Sequence, residues 1–226
     1  MTPEDLLVKF RAQITDTALP YLWSDEEVYA FMDDAQKQFC RLTGGISDAT
    51  SDITQISVDA GEEFVAIDPR VLKIRYAKRL SDNQALALWN FEDMNQPSDL
   101  DDYGMKQTMK FDDKTGPIKG LILGMERHKV RCMPIPEVAE TIALIVYRIP
   151  LLPVTETSQE LEIEEQHHQY LVYWMMKLAY EKQDAEAFDR GKANEMEKKF
   201  LAYCAEARHE RELREHKYRA VAYGGI

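Results

Sequence analysis

The sequence predicts an α+β protein, with helices at both ends and an antiparallel β segment between them. Three observations carry this. Apolar residues recur at helical spacing from Leu6 to Leu42 and again from Tyr170 to Cys204. From Ile53 to Ile149 the pattern changes to short, alternating, β-branched runs. The changes of pattern fall at chain breakers, Gly44-Gly45 on one side and Pro150 with Pro153 on the other. The expected organisation is residues 1–50 as N-terminal helices, 51–150 as the β segment, 151–219 as long C-terminal helices and 220–226 as an arm.

The first helix is expected from Thr2, a suitable N-cap followed by Pro3 at the first helical position and Asp5 at the third. Leu6, Leu7, Phe10 and Ile14 mark its apolar face, and Leu19-Pro20-Tyr21 closes the segment. The second helix follows Ser24, with Glu27 completing a capping box and Trp23 placed to staple onto Val28. Its apolar stripe reads Val28, Phe31, Ala35, Phe39 and Leu42, and Gly44-Gly45 stops it.

Roughly six strands are expected in a sheet or sandwich. They are 53–58, 64–67, 71–77, 117–125, 129–133 and 141–148. The segment Asn90 to Asp113 interrupts them with seven acidic side chains, including Asp99, Asp101, Asp102, Asp112 and Asp113, against Lys106 and Lys110. So long an insertion reads as a contact loop. The following hairpin is basic instead, with Lys119, Arg127, Lys129 and Arg131 against Glu126. Acidic loop and basic hairpin either meet across a repeated subunit interface or form two independent solvated faces.

Helices return from Glu164 to about Lys182, with Tyr170, Leu171, Trp174, Met175, Leu178 and Ala179 on a broad apolar face. Asp184 is expected to cap a last helix reaching Tyr218, about 35 residues and roughly 50 Å. Phe188, Met196, Phe200, Tyr203 and Cys204 are its core positions. Beyond Glu206 it carries opposite charges at i,i+4 (Arg208–Glu212, Glu210–Arg214, Arg211–Glu215, Glu215–Arg219) and almost no core residue. Such pairs contribute only about 0.2–0.5 kcal/mol each, so a subunit or partner contact is the alternative to a frayed tail.

The chain has 226 residues, 45% hydrophobic and 30% charged, with 28 basic against 40 acidic side chains and a formal charge of −12. That balance excludes a grip on nucleic acid, whose affinity comes from neutralising phosphates. It suits a wall past which DNA slides without sticking. No apolar run approaches the roughly 18 residues of a membrane span, and the acidic start lacks the marks of a signal peptide. Cys40, Cys132 and Cys204 form no paired motif and are expected as reduced thiols of a protein made in a cytoplasm.

Chemistry is sparse. Glu164-Glu165-Gln166-His167-His168 holds two overlapping Glu-x-x-His pairs, but no second motif completes a di-metal site. Arg131 beside Cys132 would lower the thiol pKa, with no base in view. Asp99, Asp101 and Asp102 resemble the start of a calcium loop without its glycine or closing glutamate. Hydrolase and nucleotide-binding patterns are missing from the sequence. The expectation is no enzyme, no metal and no cofactor.

The order of parts is itself informative. Trp23-Ser24-Asp25-Glu26-Glu27 is followed by Asp33-x-Ala35-Gln36, then Asp68-Pro69 before a long strand and Tyr147-Arg148-Ile149-Pro150 leaving the sheet. Glu165, Trp174, Ala179-Tyr180, Asp184, Phe188 and Phe200 complete the pattern. In this the chain resembles the head-to-tail connector, or adaptor, proteins of tailed bacteriophages. The resemblance implies an antiparallel helical bundle made by the N- and C-terminal helices, with the antiparallel β domain inserted. It implies a dodecameric ring in the virion neck, beneath the portal, on which tail or nozzle proteins assemble and through which genome DNA passes unbound. It also implies a portal-docking extension from Arg208 to Ile226, carried by Arg208, Arg211, Arg214, Arg219, Val221, Tyr223 and Ile226. Asp99, Asp101, Asp102, Asp112, Asp113, Lys119, Arg127, Lys129 and Arg131 are then candidate ring or tail contacts. A tail-completion or stopper protein of the neck, a cytoplasmic helical regulator and a hydrolase using Glu164 and His168 are the alternatives.

Overall fold

The computed structural model describes residues 1–94, 114–182 and 188–215. Its elements in chain order are α1 (Pro3–Ile14), α2 (Asp25–Thr43), β1 (Ile46–Asp48), β2 (Gln55–Val58), β3 (Phe64–Ala66), β4 (Val71–Arg79), β5 (Ala85–Asn90), the short α3 (Phe91–Met94), β6 (Gly120–Leu123), β7 (Lys129–Met133), β8 (Glu140–Arg148), α4 (Glu165–Glu181) and α5 (Arg190–Glu215). The class is α+β. Two compact units result, Met1–Gly45 with Pro150–Ile226, and Ile46–Ile149.

In the helical unit both N-terminal helices start at capping boxes. Thr2 exchanges hydrogen bonds with Asp5, and Ser24 with Glu27, so backbone donors that have no partner in the first turn are satisfied locally. Gly44, at φ 94°, closes α2 in the left-handed conformation that glycine adopts most cheaply. Between the helices the chain is held by Arg11, whose Nη1 donates to Asp16 Oδ2 at 2.6 Å and Nη2 to the Trp23 carbonyl at 3.0 Å. Asp25 also accepts from Arg11, and Asp16 Oδ1 accepts the Leu22 N–H at 2.9 Å. Arg11 and Asp16 are both buried.

The α2 stripe is rotated from the expected one. Val28, Met32, Ala35 and Phe39 are buried, whereas Phe31 and Leu42 are half-buried. Helix α4 is buried on more than one face through Leu171, Val172, Trp174, Met175, Met176 and Ala179, because α1, α2 and α5 all pack on it. Helix α5 starts later than expected. Its first turn is capped by Asp189, which accepts the Lys192 N–H at 3.0 Å; Asp184 lies outside the described residues. Phe188 is therefore not a core position and is 54% exposed.

The strands form a curled, eight-stranded sheet in the order β1-β8-β4-β5-β6-β7-β3, with β2 also on β8. The sheet is mixed, not antiparallel throughout. Strands β5 and β6 run parallel, pairing Ala87 with Gly120 through Asn90 with Leu123. A parallel pair needs a long crossover, and residues 91–119 connect the two strands. Ile56, Val58, Val65, Ile74, Leu121, Val130, Ile142, Leu144 and Val146 are among the buried residues of its core.

Gly120 is required by this pairing. A Cβ there would lie 2.2 Å from Trp89 Cζ3 and 2.8 Å from the Ala87 carbonyl oxygen. Gly120→Ala is expected to destabilise the sheet by about 1–3 kcal/mol, as overpacking does. Urea unfolding followed by hydrogen exchange of the β5 and β6 amides checks this.

Candidate interaction surfaces

The distal half of α5 is less bare than its sequence suggests. Ala207 is buried, and Arg211 is half-buried with Nη1 donating to the carbonyls of Thr43 at 3.0 Å and Gly45 at 2.6 Å. Those oxygens lie at the C-terminal end of α2, where helix carbonyls lack partners and the dipole is negative. A guanidinium with several donors serves them well. Arg211 Nε also holds Glu215 at 3.0 Å. Arg211, expected to dock outward, thus caps a helix of its own unit.

The other distal cations remain outside. Arg208 is exposed and paired with Glu212 at 2.9 Å. Arg214 is exposed and stands 3.9 Å from both Glu210 and Glu164. Leu213, at 60% exposure, lies between them in sequence. Arg219, Val221, Tyr223 and Ile226 lie outside the described residues.

An aromatic seam joins α2, α4 and α5. His167 Nδ1 is 2.8 Å from the Tyr203 hydroxyl, its ring centre is 4.7 Å from that of Phe39, and Tyr170 stacks on Tyr203 at 3.5 Å. Burial lowers the His167 pKa and raises that of Tyr203 to about 12. His168 is buried, with Nδ1 and Nε2 each 2.9 Å from a backbone carbonyl, of Met1 and of Ile163. Both ring nitrogens are therefore engaged with the backbone. Among the described residues no three His, Cys, Asp or Glu side chains gather as metal ligands.

In the β unit the basic hairpin separates into different environments. Lys119 and Arg127 are exposed, the latter with Nε 3.1 Å from His128 Nε2. Lys129 is paired with Glu126 at 2.7 Å. Arg131 is 5% exposed and sits 2.6 Å from Glu63, so the expected contact face loses it to the interior. Cys132 is buried, which pushes its thiol up to about 12, with Glu62 and Glu140 adding to the effect. This reverses the lowering expected from Arg131, and the thiol is inert. Asp99, Asp101, Asp102, Asp112 and Asp113 lie outside the described residues.

The motif residues lock the scaffold. Asp33 Oδ1 accepts the Val154 N–H at 3.2 Å and Asp34 Oδ2 the Trp174 indole N–H at 2.7 Å. Arg148, from the segment leaving the sheet, pairs with Asp48. These pieces come from across the sequence, and the comparison with known families is equally broad: the model of the SU10 adaptor protein family matches residues 1–222. The chain belongs to the SU10 adaptor protein family. No curated protein matches it. Membership carries a structural role in joining phage head and tail at the neck, in contact with other head or tail proteins.

For an adaptor, the sequence signal behind the Arg211 cap was a lone arginine on a polar helix, indistinguishable from its neighbours Arg208 and Arg214. What separates it is its place on the same face as Ala193, Phe200, Cys204 and Ala207, the buried residues of α5. Arg211→Ala is expected to leave the helix from Ala207 onward loosely held. Amide exchange there should accelerate at least tenfold, with Leu171 and Met175 unchanged. Hydrogen-exchange mass spectrometry reads both.

Proposed function

We propose that this adaptor assembles into a dodecameric ring between the portal and the tail, with genome DNA passing through its lumen and tail or nozzle proteins docking beneath. The observation that carries the reading is the family match across residues 1–222. Helices α1, α2 and α4 form with α5 an antiparallel bundle in it, and the first three support α5. That helix has 26 residues, about 39 Å at 1.5 Å per residue. The formal charge of −12 favours a lumen to which DNA does not adhere.

Portal docking is assigned to the end of the chain, through Arg208, Arg214, Arg219, Val221, Tyr223 and Ile226, with Arg211 fixing the helix that presents them. Lys119 and Arg127 are the hairpin cations best suited to a ring contact with the acidic residues Asp99, Asp101, Asp102, Asp112 and Asp113 of a neighbour. Lys129 and Arg131 already have acidic partners in their own chain. The test is deletion of residues 216–226, which leaves Arg211 in place. Co-sedimentation with the portal should be lost while the circular-dichroism melt is retained. Undiminished binding would refute the docking assignment, and electron microscopy of the portal mixture counts the subunits.

A further inference from the structure

The core of the β unit reaches the surface at one end of the sheet, where β4 and β7 begin and β5 and β6 end. Ile67, Val71 and Leu123 pack on its buried residues yet stay half-buried. With Ile74 and Val130 they floor a groove of about 310 Å³. Leu72 also lines it and is 42% exposed. Apolar surface left open in a concavity marks a place where another group packs.

The rim sets the charge of that group. Its acids are already matched: Asp68 accepts from Arg70 at 2.7 and 2.9 Å, and Glu126 pairs with Lys129 at 2.7 Å. Two cations are not. Lys73 is exposed, with no hydrogen bond or ion pair among the described residues. Arg127, between the lining residues Glu126 and His128, is exposed and meets no carboxylate among the described residues. An apolar floor under unmatched cations fits a segment that sets apolar side chains between carboxylates. In Glu160–Glu165 the apolar members Leu161 and Ile163 are buried in the helical unit, as is Trp23 before Asp25. Phe111, before Asp112 and Asp113, stands close in sequence to Lys114, whose carbonyl accepts the Ile135 N–H at 3.0 Å. Asp99-Leu100-Asp101-Asp102-Tyr103 falls instead in the middle of the insertion, the part of a loop that reaches furthest from its own chain.

We propose that this groove receives Leu100 and Tyr103 of a second copy of the chain, with Asp99, Asp101 and Asp102 meeting Lys73 and Arg127. The contact rests on the ring of copies proposed for this adaptor. Groove and segment are different patches, so copies joined through them stand head to tail, as a ring requires. Among chains that each carry a formal charge of −12, contacts have to bring opposite charges together, and this pairing does so.

The probe is the peptide of residues 97–105, acetylated and amidated at its ends. It is titrated into the ¹⁵N-labelled full chain at a concentration where sedimentation velocity shows a monomer. Saturable shifts are expected at the backbone amides of Ile67, Val71 and Leu123. The peptide with Leu100→Ala and Tyr103→Ala should bind at least tenfold more weakly, and so should one with its aspartates changed to asparagine. Lys73→Glu, at an exposed position, should weaken binding at least tenfold, and a peptide carrying Asp101→Lys and Asp102→Lys should regain it. Unmoved groove amides, wild-type affinity in Lys73→Glu or full binding of the alanine peptide overturns the proposal. Leu100→Ala with Tyr103→Ala in the full-length monomer tests the source. Groove amides that move in that variant would place the chain's own segment there and overturn the assignment to a second copy. A ring counted by electron microscopy without peptide binding refutes this contact and spares the ring. Peptide binding with no ring in the portal mixture supports the groove and its segment and refutes the ring.

Discussion

Arg11→Met is expected to destabilise the helical unit by about 3–5 kcal/mol, the usual cost of removing one member of a buried ion pair. The reason is Asp16, which stays buried after losing the guanidinium 2.6 Å away. The same substitution leaves the Trp23 carbonyl without its donor and removes the cation lying 3.8 Å above the Tyr21 ring. Trp23 is itself buried against Phe10, at 6.0 Å between ring centres, so the connection between α1 and α2 loosens with it. A second substitution separates charge from packing. Arg11→Met with Asp16→Leu should recover part of the loss, because an uncharged pair owes no desolvation. Thermal and urea melts of the three variants measure it. A single variant within about 1 kcal/mol of wild type would mean that solvent already reaches Asp16.

Asp48→Asn is expected to cost the β unit a similar amount, about 3–5 kcal/mol at neutral pH. Burial by itself would raise the Asp48 pKa. The N–H groups of Thr50 and Ser51, the Ser51 hydroxyl and the Arg148 guanidinium outweigh it, holding the carboxyl far below its ordinary 3.8. The carboxylate also ties β1 to the end of β8, where Asp48 faces Val146 and Ile46 faces Arg148. The sign of the pH dependence follows. A carboxyl whose pKa is depressed on folding contributes fully above its unfolded value, and that contribution is lost as pH falls from about 4 toward the folded pKa. Wild-type stability should therefore drop between pH 4 and pH 2 more steeply than that of Asp48→Asn. Equal slopes in urea titrations across that range would remove Asp48 from the acid response.

Much of the fold was legible because local chemistry agrees with it. Thr2 and Ser24 with their acidic partners three residues on, and Gly44 at the end of α2, act within a few residues of where they stand. The i,i+4 pairs of α5 from Arg208 to Glu215 are equally local. What escaped was what depends on distant partners. Strand β5 is rich in Ala and Leu, residues that favour helix, and it becomes a strand by pairing with β4 and β6. Strand β1, of three residues, exists through β8 alone. Phe31 and Leu42 dominate the periodicity of α2 because aromatic and branched residues weigh heavily in it. The inner line runs instead through Met32 and the polar Gln36.

The candidate surfaces divided along the same line. Exposure of Lys119, Arg127, Arg208 and Arg214 needed only their position on a turn or an outer face. The inward fate of Arg131 depended on Glu63 in a separate segment, and that of Arg211 on carbonyls more than 160 residues earlier. Neither partner announces itself in sequence, since any exposed glutamate or helix end looks the same.

Strand β8 has a consequence for how the chain is born. Strands β1 and β2 take their ladders from it, and β4 takes its longer one, yet it is the last strand of its unit to leave the ribosome. Until residue 148 has been translated, β1 and β2 have no ladder to join and β4 is paired on one edge alone, with β5. Contacts so far apart in sequence close slowly, and waiting edges invite association between nascent chains. Truncation before Thr141 should consequently yield inclusion bodies, whatever the quality of the helices that precede it.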